Sequence, residues 1–449
     1  MEKLINCCKE HLSPKGEPIL KKADEIIAKG NKHLITSMVS KIEPVVVSEA
    51  SGAVIKDVTG KEYIDCFSGI SVVNAGHCHP EVVEAAINQA KKLVHACTYV
   101  YYIPTAIELA AKLAEITSPR LQKTFFGNSG AEAVECALKL ARKFTKKYEF
   151  IALMGSFHGR SIGTLSVTGQ AGRKKYDMGP YLSGVAFAPP PYCYRCFFEK
   201  TYPECDLLCA RSIRNIIDFC TSKGIAAFIA EPVMGEGGII VPPPEYFKVI
   251  KEILDEYGIL FIADEVQSGF GRTGKLFAIE HYGVEPDIMA LAKGIADGFP
   301  LSACITREDI GNAFEPGDHL STFGGNAVSA AAALANIKVM LRDKLPEQAA
   351  EKGEYLMKRL NEMKEKYPII GNVRGKGLMI GIELVKNRAK KIPAVDETRK
   401  IRDICREKGL LIGSGGVKGC VLRLQPPLVI EKVQIDKALN ILEAAIKEV

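Results

Sequence analysis

Residues 258–303 read GILFIADEVQSGFGRTGKLFAIEHYGVEPDIMALAKGIADGFPLSA. Two short apolar runs, Ile259–Ala263 and Ile288–Ala292, each stop at a charged residue, Asp264 and Lys293. Apolar runs of that length read as strands buried on both faces, as in a parallel sheet. Ligands of such sheets bind beyond the carboxyl ends of the strands. An acid and an amine placed there point to one small molecule, because neither is cheap to bury without a partner.

Outward from this stretch the rhythm repeats. Lys123–Phe126, Phe150–Met154 and Ala226–Ala230 read as strands, and Thr105–Ile116 and Ala131–Phe144 as helices. That alternation predicts an α/β fold: a large domain with a mostly parallel sheet flanked by helices. After a long helix from Ala327 the elements shorten, through Ala349–Lys366, Met379–Val385, Asp396–Glu407, Val421–Leu424 and Glu431–Lys447. These predict a smaller α+β domain built from the C-terminal part and the N-terminal segment, whose residues 45–70 read as an antiparallel meander. The expected division is 1–75 (joining the small domain), 76–335 (large domain) and 336–449 (small domain). A Pro- and Cys-rich insert, PPPYCYRCFFEKTYPECDLLCA, occupies 189–210.

Composition narrows the function classes. The 449 residues are 47% hydrophobic and 25% charged, which suits a globular chain with a large core. The net charge of +6 arises from 59 basic and 53 acidic residues with no dense basic block, so nucleic acid is not an expected partner. No apolar stretch has the length of a membrane span. The polar start, MEKLINCCKEHLSPKGEP, lacks the apolar core of a signal peptide. Fourteen Cys in such a chain read as reduced thiols of a cytoplasmic protein.

Other short stretches carry chemistry. Gly127-Asn128-Ser129-Gly130 opens a helix, where free N–H groups and the helix dipole favour an anion; an ordinary cap and turn has the same composition. Phe157 and His158 follow a strand, so the Phe157 ring suits stacking on a flat heterocycle or simple packing. Arg160 suits a carboxylate or solvent. Lys293 in apolar surroundings is a potential amine nucleophile, and Asp264 can hold a pyridine nitrogen protonated. Together these are the parts of a pyridoxal 5'-phosphate (PLP) site.

Nine motifs occur in order: SGISVVNAGHCHP (68–80), GNSGAEAVE (127–135), FHGRSIGTLSVTG (157–169), EPVMGEGG (231–238), IADEVQSGFGRTG (262–274), ALAKGI (290–295), STFGGN (321–326), VRGKGLMIGIEL (373–384) and LRLQPPL (422–428). In these the chain resembles the class III, fold-type-I PLP-dependent aminotransferases, and looks most like their 4-aminobutyrate (ω-amino acid) branch. The resemblance implies PLP as cofactor and Lys293 as the catalytic Schiff-base lysine. It implies that Asp264 pairs with the pyridine nitrogen, Gln267 sits near the ring hydroxyl, Phe157 stacks on the ring, and His158 belongs to the same cofactor site. Ser129, Gly130 and Ala131 would contact the phosphate. Thr322 would reach it from the neighbouring subunit of a homodimer, which can pair further into a dimer of dimers. Arg160 would bind a distal substrate carboxylate, Arg423 an α-carboxylate, and Glu236 would cover Arg423; Ile70 would line the substrate pocket.

The expected reaction is ping-pong transfer from a small-molecule ω-amino donor to a 2-oxo acid, 2-oxoglutarate or pyruvate. A racemase or epimerase, or a member acting on ornithine-type or β-amino acids, is the alternative on the same motifs. Met234 and Ala327 depart from the Gln and Pro of many relatives. The insert departs further: Cys193, Cys196, Cys205 and Cys209 are spaced for a tetrahedral zinc site or for four free thiols. No metal is expected at the active site. Gly413-Ser414-Gly415-Gly416 reads as a loop approaching that site.

Overall fold

The computed structural model describes residues 19–35, 37, 42–170, 172 and 176–449. A seven-stranded sheet has the order Leu121–Gly127, Ser302–Arg307, Ile288–Leu291, Leu260–Asp264, Ile225–Ala230, Glu149–Leu153 and Val185–Ala188. Only Ser302–Arg307 runs antiparallel to the rest. The expected mostly parallel sheet is therefore present.

Its apolar runs feed two cores, because successive side chains of a strand point to opposite faces. Ile288 and Ala290 pack with Ala133, Ala137 and Leu140 of the helix Gly130–Thr145. Met289 and Leu291 belong to the other core, with Phe247, Ile250 and Leu254 of the helix Tyr246–Tyr257. Burial on both faces explains why these strands read as unbroken apolar runs.

The second sheet has the order Val47–Ser51, Val54–Asp57, Glu62–Cys66, Leu410–Gly415, Val421–Leu424, Met379–Asn387 and Ile370–Lys376, with Ile392–Pro393 pairing Met379–Asn387. The predicted meander forms, and it joins the C-terminal strands through one parallel pair, Ile64 opposite Leu410. Gly413 to Gly415 are strand residues and not the expected loop, with Gly413 opposite Arg423 and Gly415 opposite Val421. Close packing accounts for glycine there: a Cβ on Gly413 would come within 2.4 Å of the Phe67 ring. Within this sheet Arg423 Nη2 donates to Ser414 O at 3.3 Å.

Arg272 joins the sheets. It follows the strand Leu260–Asp264, and its side chain is fully buried. Nη1 donates to Leu378 O at 3.1 Å and to Pro426 O, while Nη2 donates to Asn74 Oδ1 at 2.5 Å and Ser68 Oγ at 3.3 Å. One guanidinium thus satisfies acceptors from both ends of the chain. Arg272→Met should destabilise the fold by about 3–5 kcal/mol, because those acceptors would lie buried without donors. The midpoint of urea unfolding measures this; an unchanged midpoint would show that Arg272 is dispensable.

Candidate active site

Three strands leave the large sheet together. Ala230 lies opposite Ala263, and Asp264 opposite Ala290. Glu231, Asp264 and Lys293 therefore emerge at one carboxyl edge. Asp264 and His158 are both buried, and His158 Nδ1 lies 2.6 Å from Asp264 Oδ2. The other carboxylate oxygen accepts the Val266 N–H at 3.0 Å. His158 is fixed in turn by its own N–H, donated to Thr168 Oγ1 at 3.0 Å. A hydrogen-bonding imidazole and a backbone N–H give the buried Asp264 side chain a partner at each oxygen, which lowers the cost of burying it.

Lys293 adopts φ +46°, a left-handed conformation that costs a non-glycine residue energy and is tolerated where the surroundings enforce it. Burial lowers its ammonium pKa, opposed by the carboxylates of Asp264, Glu236 and Glu231. A neutral amine is correspondingly easier to form there.

A cavity of about 400 Å³ opens at this edge. Its walls include Phe157, His158, Asp264, Gln267 and Lys293. Ser129, Gly130 and Ala131 form another part of the wall, and Arg160 and Glu236 complete the expected residues found there.

The turn before the helix Gly130–Thr145 is a capping box: Ser129 Oγ accepts the Glu132 N–H, and Glu132 accepts the N–H groups of Asn128 and Ser129. Gly130 and Ala131 are first-turn residues whose N–H groups have no acceptor within the helix. Glycine is needed at 130, since a Cβ would stand 2.7 Å from Val266 Cγ1. Gln267 is held from two sides. Gln425 Nε2 donates to its Oε1 at 3.2 Å, and Gly235 packs so close that a Cβ would reach that oxygen at 1.9 Å.

Arg423, 3% exposed, stands behind Glu236 and is paired with its Oε1. Its guanidinium also lies 5.5 Å from the Phe67 ring centroid. Arg160 is exposed and sits over the Phe157 ring at 5.6 Å.

Ile70 and Thr322 are not in the cavity wall of this one chain; both are exposed. Ile70 lies in a turn whose residues Ser68 to Ser71 all have positive φ.

Sequence reasoning assigned Glu231 no part. It is buried, accepts the Phe157 N–H at 2.9 Å and the Gly235 N–H at 2.8 Å, and its carboxyl is pushed up to about 7, chiefly by burial. The available signal was the one that marked Asp264, an acid ending an apolar strand.

Cys193, Cys196, Cys205 and Cys209 line one small cavity in the insert. All four are free, and among the described residues no three His, Cys, Asp or Glu side chains are grouped so as to hold a metal. No helix among the described residues is long and apolar enough to cross a membrane.

The family model for class III aminotransferases matches residues 36–446. The chain belongs to the class III aminotransferases. An acetylornithine aminotransferase from Methanosarcina acetivorans is 44% identical, over 97% of this chain and 100% of that protein. A leucine/methionine racemase from Thermococcus litoralis is also 44% identical, over 90% of this chain and 91% of its own. An amine transaminase from an uncultivated Pseudomonas species, solved in a PLP-bound form, superposes with a TM-score of 0.88 at 33% identity, covering 93% of this chain and 98% of that one. The cofactor of this class III protein is PLP. The two curated relatives are named for acetylornithine and for leucine and methionine, so membership of the 4-aminobutyrate branch does not follow from them.

Beside Asp264, the fully buried Glu265 accepts Ser268 Oγ–H at 2.5 Å and the Ile279 N–H at 2.7 Å. Burial nevertheless raises its carboxyl from an ordinary 4.5 to about 7. The folded state then holds a proton that the unfolded chain releases at lower pH. Relative to Glu265→Gln, the unsubstituted protein should lose about 3 kcal/mol of stability as pH rises from 4.5 through 7, and no more above that. Urea midpoints of both proteins from pH 5 to 8 check this; a constant gap would mean that Glu265 is ionised throughout.

Proposed function

We propose that this protein is a ping-pong aminotransferase. Its donor carries a reacting amine with no carboxylate beside it, as in an ω-amino acid or the side chain of acetylornithine. Its acceptor is a 2-oxo acid such as 2-oxoglutarate or pyruvate. The observation that carries the reading is the Glu236–Arg423 ion pair beside a cavity whose wall also contains Arg160. A transaminase of this kind meets two unlike substrates in turn. The donor places its carboxylate far from the reacting carbon, within the province of Arg160. The 2-oxo acid has a carboxylate at the reacting carbon, which suits Arg423. Glu236 neutralises Arg423 when that carboxylate is absent and yields it when present, so no buried charge is left unpaired.

The donor set suits PLP: an amine of lowered pKa, a buried carboxylate backed by an imidazole, an aromatic ring, and a glycine-tight helix start for a phosphate. Bound PLP supplies an electron sink for the carbanion left when a substrate C–H bond breaks. In this reading Lys293 would carry the cofactor, and its amine, once free, would serve as the base that takes up the proton lost by the substrate carbon and as the acid that gives it back. Asp264, positioned by His158, would keep the pyridine nitrogen protonated. Phe157 would pack against the ring and Gln267 would serve its hydroxyl. Ser129, Gly130 and Ala131 would hold the phosphate.

Thr322 completes the phosphate site of a second copy in this reading. Support comes from its setting: Leu320 and Phe323 beside it are exposed, as are Val100, Tyr101 and Tyr102. Thr98 Oγ1 donates to Gly324 O at 2.7 Å and Asn326 Nδ2 to Val94 O at 2.9 Å, which ties the two segments bearing these exposed apolar side chains together. Phe323→Glu should give a monomer by light scattering and weaken cofactor retention on dialysis; a dimer of unchanged size would remove the shared site.

The racemase reading rests on the 44% identical leucine/methionine racemase. A racemase handles one substrate whose α-carboxylate is always present, and a Glu covering Arg423 would only compete with it. Two measurements separate the readings. Arg423→Ala should lower kcat/KM for the 2-oxo acid half-reaction by about 10²-fold or more and spare the donor half-reaction. An intact 2-oxo acid half-reaction ends the two-carboxylate scheme. Racemisation of a single leucine or methionine enantiomer without any 2-oxo acid would transfer the conclusion to the alternative.

A further inference from the structure

Glu236 sits in a tight turn whose other end is held by a second arginine. The Gly238 and Ile239 N–H groups donate to Gly235 O at 3.1 and 3.2 Å. Ile239, fully buried and β-branched, has φ +53°, a left-handed conformation that such a residue adopts only when forced. The force is visible. Arg374 Nε donates to Gly238 O and Ile239 O, each at 3.0 Å, and Nη2 donates to Gly238 O at 2.6 Å.

The sheet register explains the reach. Arg374 lies opposite Gly381, and Gly381 opposite Arg423. Directly opposite residues share a face, so the two arginines flank a glycine in one cross-strand row. The turn occupies the gap: a Cβ on Gly381 would stand 3.0 Å from Ile239 Cβ and 3.1 Å from Gly238 O. Arg423 grips Glu236 at one end and Arg374 grips the backbone at the other.

Arg374 is itself locked. Its Nη1 lies 2.9 Å from Glu383 Oε2 and 2.9 Å from Asn372 Oδ1. Its guanidinium lies 4.8 Å from the Tyr192 ring centroid. Tyr192 OH donates to the same Glu383 oxygen, and Arg195 Nε binds the other at 2.5 Å. Tyr192 and Arg195 belong to the Pro- and Cys-rich insert, which is thereby linked to the turn carrying Glu236 through Glu383 and Arg374.

We propose that Arg374 is a specificity-determining positioning residue, anchoring the hinge of the turn 235–239 so that Glu236 returns to Arg423 whenever no α-carboxylate is bound, and that the insert holds Arg374 through Glu383 and Tyr192. The inference rests on the two-carboxylate reading above. Arg374 touches no reacting atom. It acts by fixing where Glu236 rests, and it biases the enzyme toward donors with an isolated amine.

The test is the pair of half-reactions of the holoenzyme, followed by cofactor absorbance in single turnovers. The donor is 4-aminobutyrate or acetylornithine, whichever reacts, and the acceptor is 2-oxoglutarate. In Arg374→Gln the specificity constant for the donor should fall about tenfold through KM, with little change for 2-oxoglutarate. Arg374→Lys, which retains one cationic donor, should recover part of the loss. Tyr192→Phe should shift the same ratio in the same direction by a smaller factor, and it decides the matter should Arg374→Gln fail to fold. Equal losses in both half-reactions, a loss in kcat alone, or no change would each overturn the proposal. Glu236→Gln, measured alongside, separates the two ideas. If it shifts the ratio and the Arg374 and Tyr192 variants do not, the positioning role fails alone. If it leaves the ratio unchanged, the two-carboxylate reading fails.

Discussion

The parallel pairing of Ile225–Ala230, Leu260–Asp264 and Ile288–Leu291 decides which residues leave the large sheet side by side. A slip of one residue would turn every side chain of a strand to the other face. Register is thus enforced by two apolar cores, and the cores deliver Glu231, Asp264 and Lys293 to one edge. The candidate active site inherits its geometry from packing that has no chemical role of its own.

The charges gathered there are kept affordable by specific partners. Asp264 has an imidazole and a backbone N–H, Glu231 has two backbone N–H groups, and Glu236 has Arg423. Lys293 has a pKa lowered by burial. Each of these side chains is held in place by named partners or by burial before any ligand arrives. The same economy explains Gly130 and Gly235, where a methyl group would displace Val266 or Gln267.

Much of this was legible in the sequence. Isolated charges after apolar runs gave Asp264 and Lys293, and the alternation of strands and helices gave the parallel sheet. The strand Ser302–Arg307 was not legible, because its sequence SACITR has half its residues polar although five of six are buried. One hydroxyl is accounted for by Thr306 Oγ1 bonding Asp287 O at 2.9 Å. Gly413–Gly415 looked like a loop because glycine signals a turn, whereas here it admits Phe67. Arg272 and Arg374 were invisible for another reason. An arginine in a sequence reads as a surface charge, and each of these two binds two backbone carbonyls far along the chain that no sequence pattern marks. Ile70 and Thr322 remain outside the cavity wall of this chain and are exposed.

The parallel pair between Ile64 and Leu410 joins strands from opposite ends of the chain. A ribosome makes the meander first and its partner almost last. Until then the strand Glu62–Cys66 presents an open edge of backbone donors and acceptors, with the buried face of Ile64 and Cys66 uncovered. The large sheet has all its strands by Arg307 and can assemble earlier. Synthesis therefore passes through a stage in which the seven-stranded sheet can exist and the sheet carrying Arg423 cannot. During that interval the nascent chain is exposed to edge-to-edge association, a hazard that no property of the finished protein reveals.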